Sequence, residues 1–278
     1  NYFSGLVAIN DNKYKSSYSY FKLLNNLEES HYPYSQYFLY SNITLKKFKE
    51  STNYAKKLEK KKLDNFESNL VAGVYYLGKK DSEKAKIYFE KLKNQSQPGT
   101  IQDLLSSSLN TWSNFNDLTS TISGLKKMSK KFDNIRSIQE VFAYCYFDSK
   151  QTDQMFEKLV TSSKINYSRY YFFYVNYLTS KEKEEKGRKV LQTSLDLYPT
   201  NLILNQLQTD LTESQKINIK FDCKKINHII AEIFYIISNG LSSQKNYLAS
   251  NFYLKLASYL NPDFLSYNTL YAENLEII

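Results

Sequence analysis

Residues 69–98 read NLVAGVYYLGKKDSEKAKIYFEKLKNQSQP, and the spacing of their small and large side chains decides the fold class. Gly73, Tyr76, Ala85, Phe89 and Leu92 stand at places 8, 11, 20, 24 and 27 of a 34-residue window. One window earlier the same places hold Leu39, Asn42, Ser51, Ala55 and Leu58. One window further back they hold Gly5, Ala8, Ser17, Phe21 and Leu24. The three copies align without insertion. The pattern predicts two helices per window, joined by turn chemistry at YLGKKD, 76–81. Small residues at places 8 and 20 are expected to face each other where the helices cross, letting the backbones approach. Large residues at 11, 24 and 27 fill the surrounding space. Gly73 inside a helix costs about 1 kcal/mol relative to alanine, and close helix packing is the expected compensation.

Outward from this stretch the register continues with slippage. Over 102–133 Trp112 and Leu118 read as core, but places 20 and 24 fall on Thr119 and Ser123. From Arg136 to Asn166, Ala143, Tyr146, Met155 and Leu159 take places 8, 11, 20 and 24. Val175, Leu178, Gly187, Leu191 and Ser194 follow at 8, 11, 20, 24 and 27, and Pro199 marks the turn between windows within LDLYPTN, 195–201. A last pair runs over 226–261 with a longer first helix, Ala257 at place 27 and Pro262 at 32, and a helix over 264–278 has no partner. Between the last two pairs NLILNQLQTDL (201–211) reads as a helix and TESQKINIKFDCKK (212–225) as a polar connector. The expected organisation is therefore an array over 1–133 with a degenerate fourth repeat, two pairs over 134–200, a helix and connector over 201–225, and a pair plus an unpaired helix over 226–278.

These spacings resemble the tetratricopeptide repeat family over most of the chain. A tryptophan-bearing degenerate repeat and the late NPDF turn at 261–264 are also similar to long bacterial multi-repeat proteins. The resemblance implies an all-α, right-handed superhelical solenoid of antiparallel helix pairs, whose concave face, lined by the first helix of each pair, binds peptides or partner proteins. Family members that clamp an acidic peptide terminus use Lys and Asn at groove places 2, 5, 9, 12 and 13. Here those places hold Tyr2 and Leu6, then Gln36, Tyr40 and Ile43, then Leu70, Val74 and Leu77. The two-carboxylate clamp is absent, and an apolar, tyrosine-rich groove takes its place. The competing reading is that these rings pack against the next repeat.

Composition agrees with a helical array. Only seven glycines and four prolines occur in 278 residues, against 26 tyrosines and 17 phenylalanines. Such scarcity excludes β-sandwiches, propellers and Gly-rich nucleotide-binding folds. The chain carries 37 basic and 28 acidic residues, a formal charge of +9. Only three of the basic residues are arginines, Arg136, Arg169 and Arg188, so the guanidinium forks of a nucleic-acid surface are scarce. The run Lys56-Lys57-Leu58-Glu59-Lys60-Lys61-Lys62 complements a helix C-terminus; nucleic-acid binding is its sharper alternative.

Chemistry-bearing motifs are few. Cys145 and Cys223 match no metal or redox spacing, and Cys145, within an aromatic run at 142–147, reads as a buried inert thiol. His31 and His228 are the only histidines, so neither a zinc cluster nor another cofactor site is expected. Glu28-Glu29 and Glu184-Glu185 read as solvated faces, and no P-loop or G-x-S-x-G elbow occurs. Polar residues interrupt every apolar run before it could span a membrane. Without an initiating methionine or signal peptide, the chain reads as mature or cut from something longer, in the cytoplasm or a bacterial envelope. The expected function is a non-catalytic scaffold holding a protein or peptide segment on the concave face, with self-association through the C-terminal helix as a further expectation. The alternatives are a repeat region that positions another domain of a larger enzyme or secretion machine, and a basic solenoid for nucleic acid.

Overall fold

The computed structural model describes residues 1–24, 26–162, 168–213 and 221–276, and every regular element among them is helical. In chain order these are α1 (Tyr2–Asn10), α2 (Tyr14–Lys22), α3 (Tyr32–Thr44), α4 (Phe48–Lys60), α5 (Phe66–Gly78), α6 (Ser82–Lys91), α7 (Ile101–Ser113) and α8 (Leu118–Leu125). There follow α9 (Asp133–Tyr146), α10 (Thr152–Val160), α11 (Ser168–Ser180), α12 (Glu184–Leu197) and α13 (Leu202–Thr212). The chain ends with α14 (Ile226–Ser243), α15 (Tyr247–Leu260) and α16 (Ser266–Glu276). It divides into two compact units, residues 1–135 with 226–278, and residues 136–225.

One turn recurs inside the helix pairs. Asn12, Lys46, Lys80, Asp148 and Glu182, spaced by 34 residues or twice that, all have left-handed backbones with φ between 52° and 61°. The next residue then donates its N–H to the carbonyl five positions back: Lys13 to Ala8, Lys47 to Asn42, Asp81 to Tyr76, Ser149 to Tyr144 and Lys183 to Leu178, at 2.8–3.0 Å. This bond captures a carbonyl that the helix end would leave unpaired. A left-handed residue is usually glycine, so Lys, Glu, Asn and Asp here account for part of the glycine scarcity. The period passes through Asp148 unbroken, which corrects the register read for α9. Its turn places Val141 and Tyr144, not Ala143 and Tyr146, at 8 and 11, and the slippage falls in the turn before α10. At Asn114, where the period would put the fourth turn, φ is −126°, so the degenerate repeat is degenerate in its turn as well.

In the unit formed by 1–135 and 226–278, consecutive helices from α1 to α7 pack each on the next. A Cβ added to Gly5 would come within 2.4 Å of the Phe21 ring, and one added to Gly73 within 2.4 Å of the Phe89 ring. The small residue at place 8 thus makes room for the ring at place 24, rather than only for place 20. In the second repeat the sizes are exchanged, with Leu39 and Ala55 at those places, both buried. Place 20 does face place 8 in two other pairs. Gly187 lies near Val175 and Leu178 in unit 136–225. Between α14 and α15 the Ser250 hydroxyl donates to the Ser238 carbonyl at 2.8 Å.

The three C-terminal helices return to the N-terminal repeats. α15 packs along α14 and lies against α3 and α5, while α14 meets α7. The helix expected to stand unpaired, α16, packs on α15 and α14. Its Asn274 carboxamide accepts from Ser242 Oγ at 2.6 Å and donates to Ser250 Oγ and Asn251 Oδ1 at 2.8 Å each. Asn251 in turn donates to the Tyr14 hydroxyl at 3.1 Å, so a buried polar chain joins α14, α16, α15 and α2. Residues 277–278 lie outside the described residues.

In unit 136–225, α11 packs against α10, α12 and α13. The helix expected over 201–211 is α13, whose N-terminus is capped by Asn201 accepting from Ile203 and Leu204. Most of the polar connector, 214–220, lies outside the described residues. Cys145 is not a free thiol: it is bonded to Cys223, across a separation of 78 residues. The disulfide ties the end of α9 to the segment leading into α14. In that segment the Phe221 ring stacks on Phe173 at 4.1 Å and meets Phe142 at 4.9 Å.

Candidate binding faces

The expected groove residues fall into two groups. Tyr2 and Leu6 are half-buried on α1, and the Tyr2 ring meets the edge of His31 at 4.6 Å. The structure brings Gln36, Tyr40, Ile43, Leu70, Val74 and Leu77 together on α3 and α5, where all but Gln36 are buried. Their face is occupied by α15. The Tyr40 ring stacks on Phe252 at 4.4 Å. Tyr259 stacks on Phe48 at 4.1 Å and on Tyr75 at 6.4 Å. Gly78 is what admits it, since a Cβ there would lie 2.4 Å from the Tyr259 ring.

Beneath α15 the Gln36 amide donates to Glu67 Oε1 at 2.8 Å. Burial raises the Glu67 pKa, against the hydrogen bonds from backbone and Gln36 that favour its charge. Burial likewise pushes the Tyr253 hydroxyl well above its usual range. Among the repeat positions, Ala85, Phe89 and Ala257 are buried and Gly187 is inside a helix contact. Tyr76 is half-buried and stacks on Tyr88 at 5.8 Å. Pro199 and Pro262 are exposed in turns.

The lysine run is partly consumed within the fold. Lys57 and Lys61 bond Glu28 Oε1 at 2.8 and 3.2 Å, and Lys61 also pairs with Glu29. Lys56 lies over the Tyr76 ring. Glu28, expected on a solvated face, is buried. Burial raises its pKa, but Lys57, the backbone and Lys61 outweigh that and hold it below the usual carboxylate range. A contrasting cation is Lys255 on α15, which is buried with its amine 3.3 Å from the centre of the Tyr271 ring. Burial first, and then the neighbouring Lys46, lower its pKa to about 8.

Unit 136–225 holds a pocket of about 200 Å³ beside α11. Phe156, Phe173 and Phe221 line it with apolar rings, and Cys145, Cys223 and Asn176 line it as well. Sequence reasoning missed Asn176. The signal that could have found it is its register: with Val175 at place 8, Asn176 takes place 9, one of the groove places. The Phe221 wall carried no such signal, because it lies outside every repeat.

Among the described residues no group of three His, Cys, Asp or Glu side chains is placed to hold a metal ion. No described helix is long and apolar enough to cross a membrane. No family model, no curated protein and no solved structure matches the chain.

Proposed function

We propose that the chain is a non-catalytic scaffold of the tetratricopeptide type, a right-handed solenoid of helix pairs that holds a segment of a partner protein. The observation that carries this reading is the seating of α15. The face formed by α3 and α5 accepts a helix of the same chain through the Tyr40–Phe252 and Tyr75–Tyr259 stacks. A face with apolar, aromatic sockets that takes one amphipathic helix has the chemistry to take another. The recurring left-handed turn at the 34-residue period supports the repeat reading itself.

The experiment opens that face. In the intact chain carrying Phe252→Asp and Tyr259→Asp, α15 loses both of its stacked rings. A synthetic peptide of residues 247–260 should then bind in trans by fluorescence anisotropy, while the parent chain, with its face filled, should not bind it. A variant that keeps its helical circular dichroism and ignores the peptide would remove the basis for this reading.

A further inference from the structure

Asn176 is 3% exposed, and among the described residues neither the oxygen nor the nitrogen of its carboxamide has a hydrogen-bond partner. Burying an amide in that state is destabilising. Buried polar groups otherwise find partners, so this one is a place to look for a ligand. Several other polar side chains around the pocket are engaged. The Asp148 carboxylate accepts from Lys181 at 2.9 Å and also pairs with Lys224. The Ser180 hydroxyl donates to the Tyr177 carbonyl at 2.7 Å.

Three properties then define the occupant. The charges at the mouth are paired with each other, which favours a neutral group over an ion. The free donor and acceptor belong to one carboxamide, and the N–H and C=O of a single extended residue match both at once. The walls are aromatic, and the volume of about 200 Å³ lies below the ~300–1,000 Å³ of a site for a whole drug-sized ligand. One residue of a chain fits this description better than a cofactor does.

We propose that this pocket anchors a single aromatic residue of a partner peptide. Its ring packs among Phe156, Phe173 and Phe221, its backbone N–H donates to Asn176 Oδ1, and its carbonyl accepts from Asn176 Nδ2. The disulfide between Cys145 and Cys223 restrains the segment that carries Phe221, so the wall is ordered before the ligand arrives. This site is separate from the face covered by α15 and takes from the scaffold reading only the idea that the ligand is a peptide.

The test uses the intact oxidised chain, labelled with ¹⁵N, and N-acetylphenylalanine N-methylamide as the probe. The Asn176 side-chain NH₂ resonance, identified by its absence from Asn176→Leu, should shift saturably. O-acetylphenyllactic acid N-methylamide, in which an ester oxygen replaces the phenylalanine N–H, should bind about tenfold more weakly. Asn176→Leu should lose binding by at least about tenfold yet melt no lower than the parent, because an unpartnered amide has been removed. Asn176→Asp, which keeps the shape and removes the donor, should weaken binding in the same way. Absence of a saturable shift, equal binding by these variants, or a melting point well below the parent for Asn176→Leu would each overturn the proposal. Capture of the 247–260 peptide by the opened α3–α5 face is independent of all these outcomes, so the two readings fail separately.

Discussion

The ring of Tyr40 lies on the ring of Phe252, with centroids 4.4 Å apart and planes inclined by 28°. One belongs to the second helix pair and the other to the last, so this contact closes the C-terminal helices onto the N-terminal repeats. Phe252 is fully buried. Truncating such a phenylalanine costs about 3–5 kcal/mol through lost transfer energy and the cavity left behind. Phe252→Ala should therefore lower the unfolding free energy by that amount in urea. A loss below about 1 kcal/mol would mean that α15 contributes little to this unit.

Gly73 and Phe89 supply a second prediction. Alanine is the better helix former by about 1 kcal/mol, but its Cβ would stand 2.4 Å from the Phe89 ring. Overpacking of this kind is destabilising by about 1–3 kcal/mol, so Gly73→Ala should lower stability rather than raise it. Adding Phe89→Leu should recover part of the loss, and a double-mutant cycle would read that coupling.

Lys255 makes stability depend on alkaline pH. Its folded pKa is about 8, below the ~10.4 of an unfolded lysine. Between these values the unfolded chain binds one more proton than the folded chain, so stability rises with pH there. The destabilisation is fully present below about pH 8. Lys255→Met should raise stability at pH 7 by about 1–3 kcal/mol and flatten the rise. Denaturation series over pH 7–9.5, below the tyrosine range, would measure both effects.

Asp153 acts in the opposite direction at acid pH. Burial raises its pKa, but hydrogen bonds from Lys186, Tyr174 and Lys183 prevail and bring it down to about 2. A depressed carboxylate contributes stability above its unfolded value of ~3.9, and loses it as pH falls through the folded value. Unit 136–225 should thus lose about 2 kcal/mol between roughly pH 5 and pH 2. Asp153→Asn should remove most of that slope in acid titrations followed by tyrosine fluorescence.

The disulfide should matter most to the same unit. It closes a loop of 78 residues, for which chain-entropy arguments give about 4 kcal/mol. Dithiothreitol, or Cys145→Ser with Cys223→Ser, should lower the unfolding midpoint of residues 136–225 and weaken any ligand of the Asn176 pocket. An unchanged midpoint would show that Phe221 stays on Phe173 without the covalent link.

Helix pairing was legible because it is local. Gly5, Gly73, Phe21 and Phe89 announce their packing by spacing alone, since helix faces repeat every three to four residues. The α9 register was misread by two residues because Tyr144 and Tyr146 are both plausible fillers. Only the left-handed backbone at Asp148 distinguishes them. The Cys145–Cys223 bond was illegible, because spacing along a chain does not say which segments meet in space.

The sequence by itself determined an all-helical chain with a 34-residue period, written in small and large side chains and in a shortage of glycine and proline. Tertiary structure alone decided what those helices face. Whether Tyr40 lines an open groove or a closed core depends on where α15 lands, and Phe252 carries no mark of its destination. Likewise, Asn176 becomes notable only because the surrounding fold leaves both ends of its carboxamide unpaired. Local periodicity is set by bonds a few residues long, whereas burial and satisfaction depend on the whole packed unit.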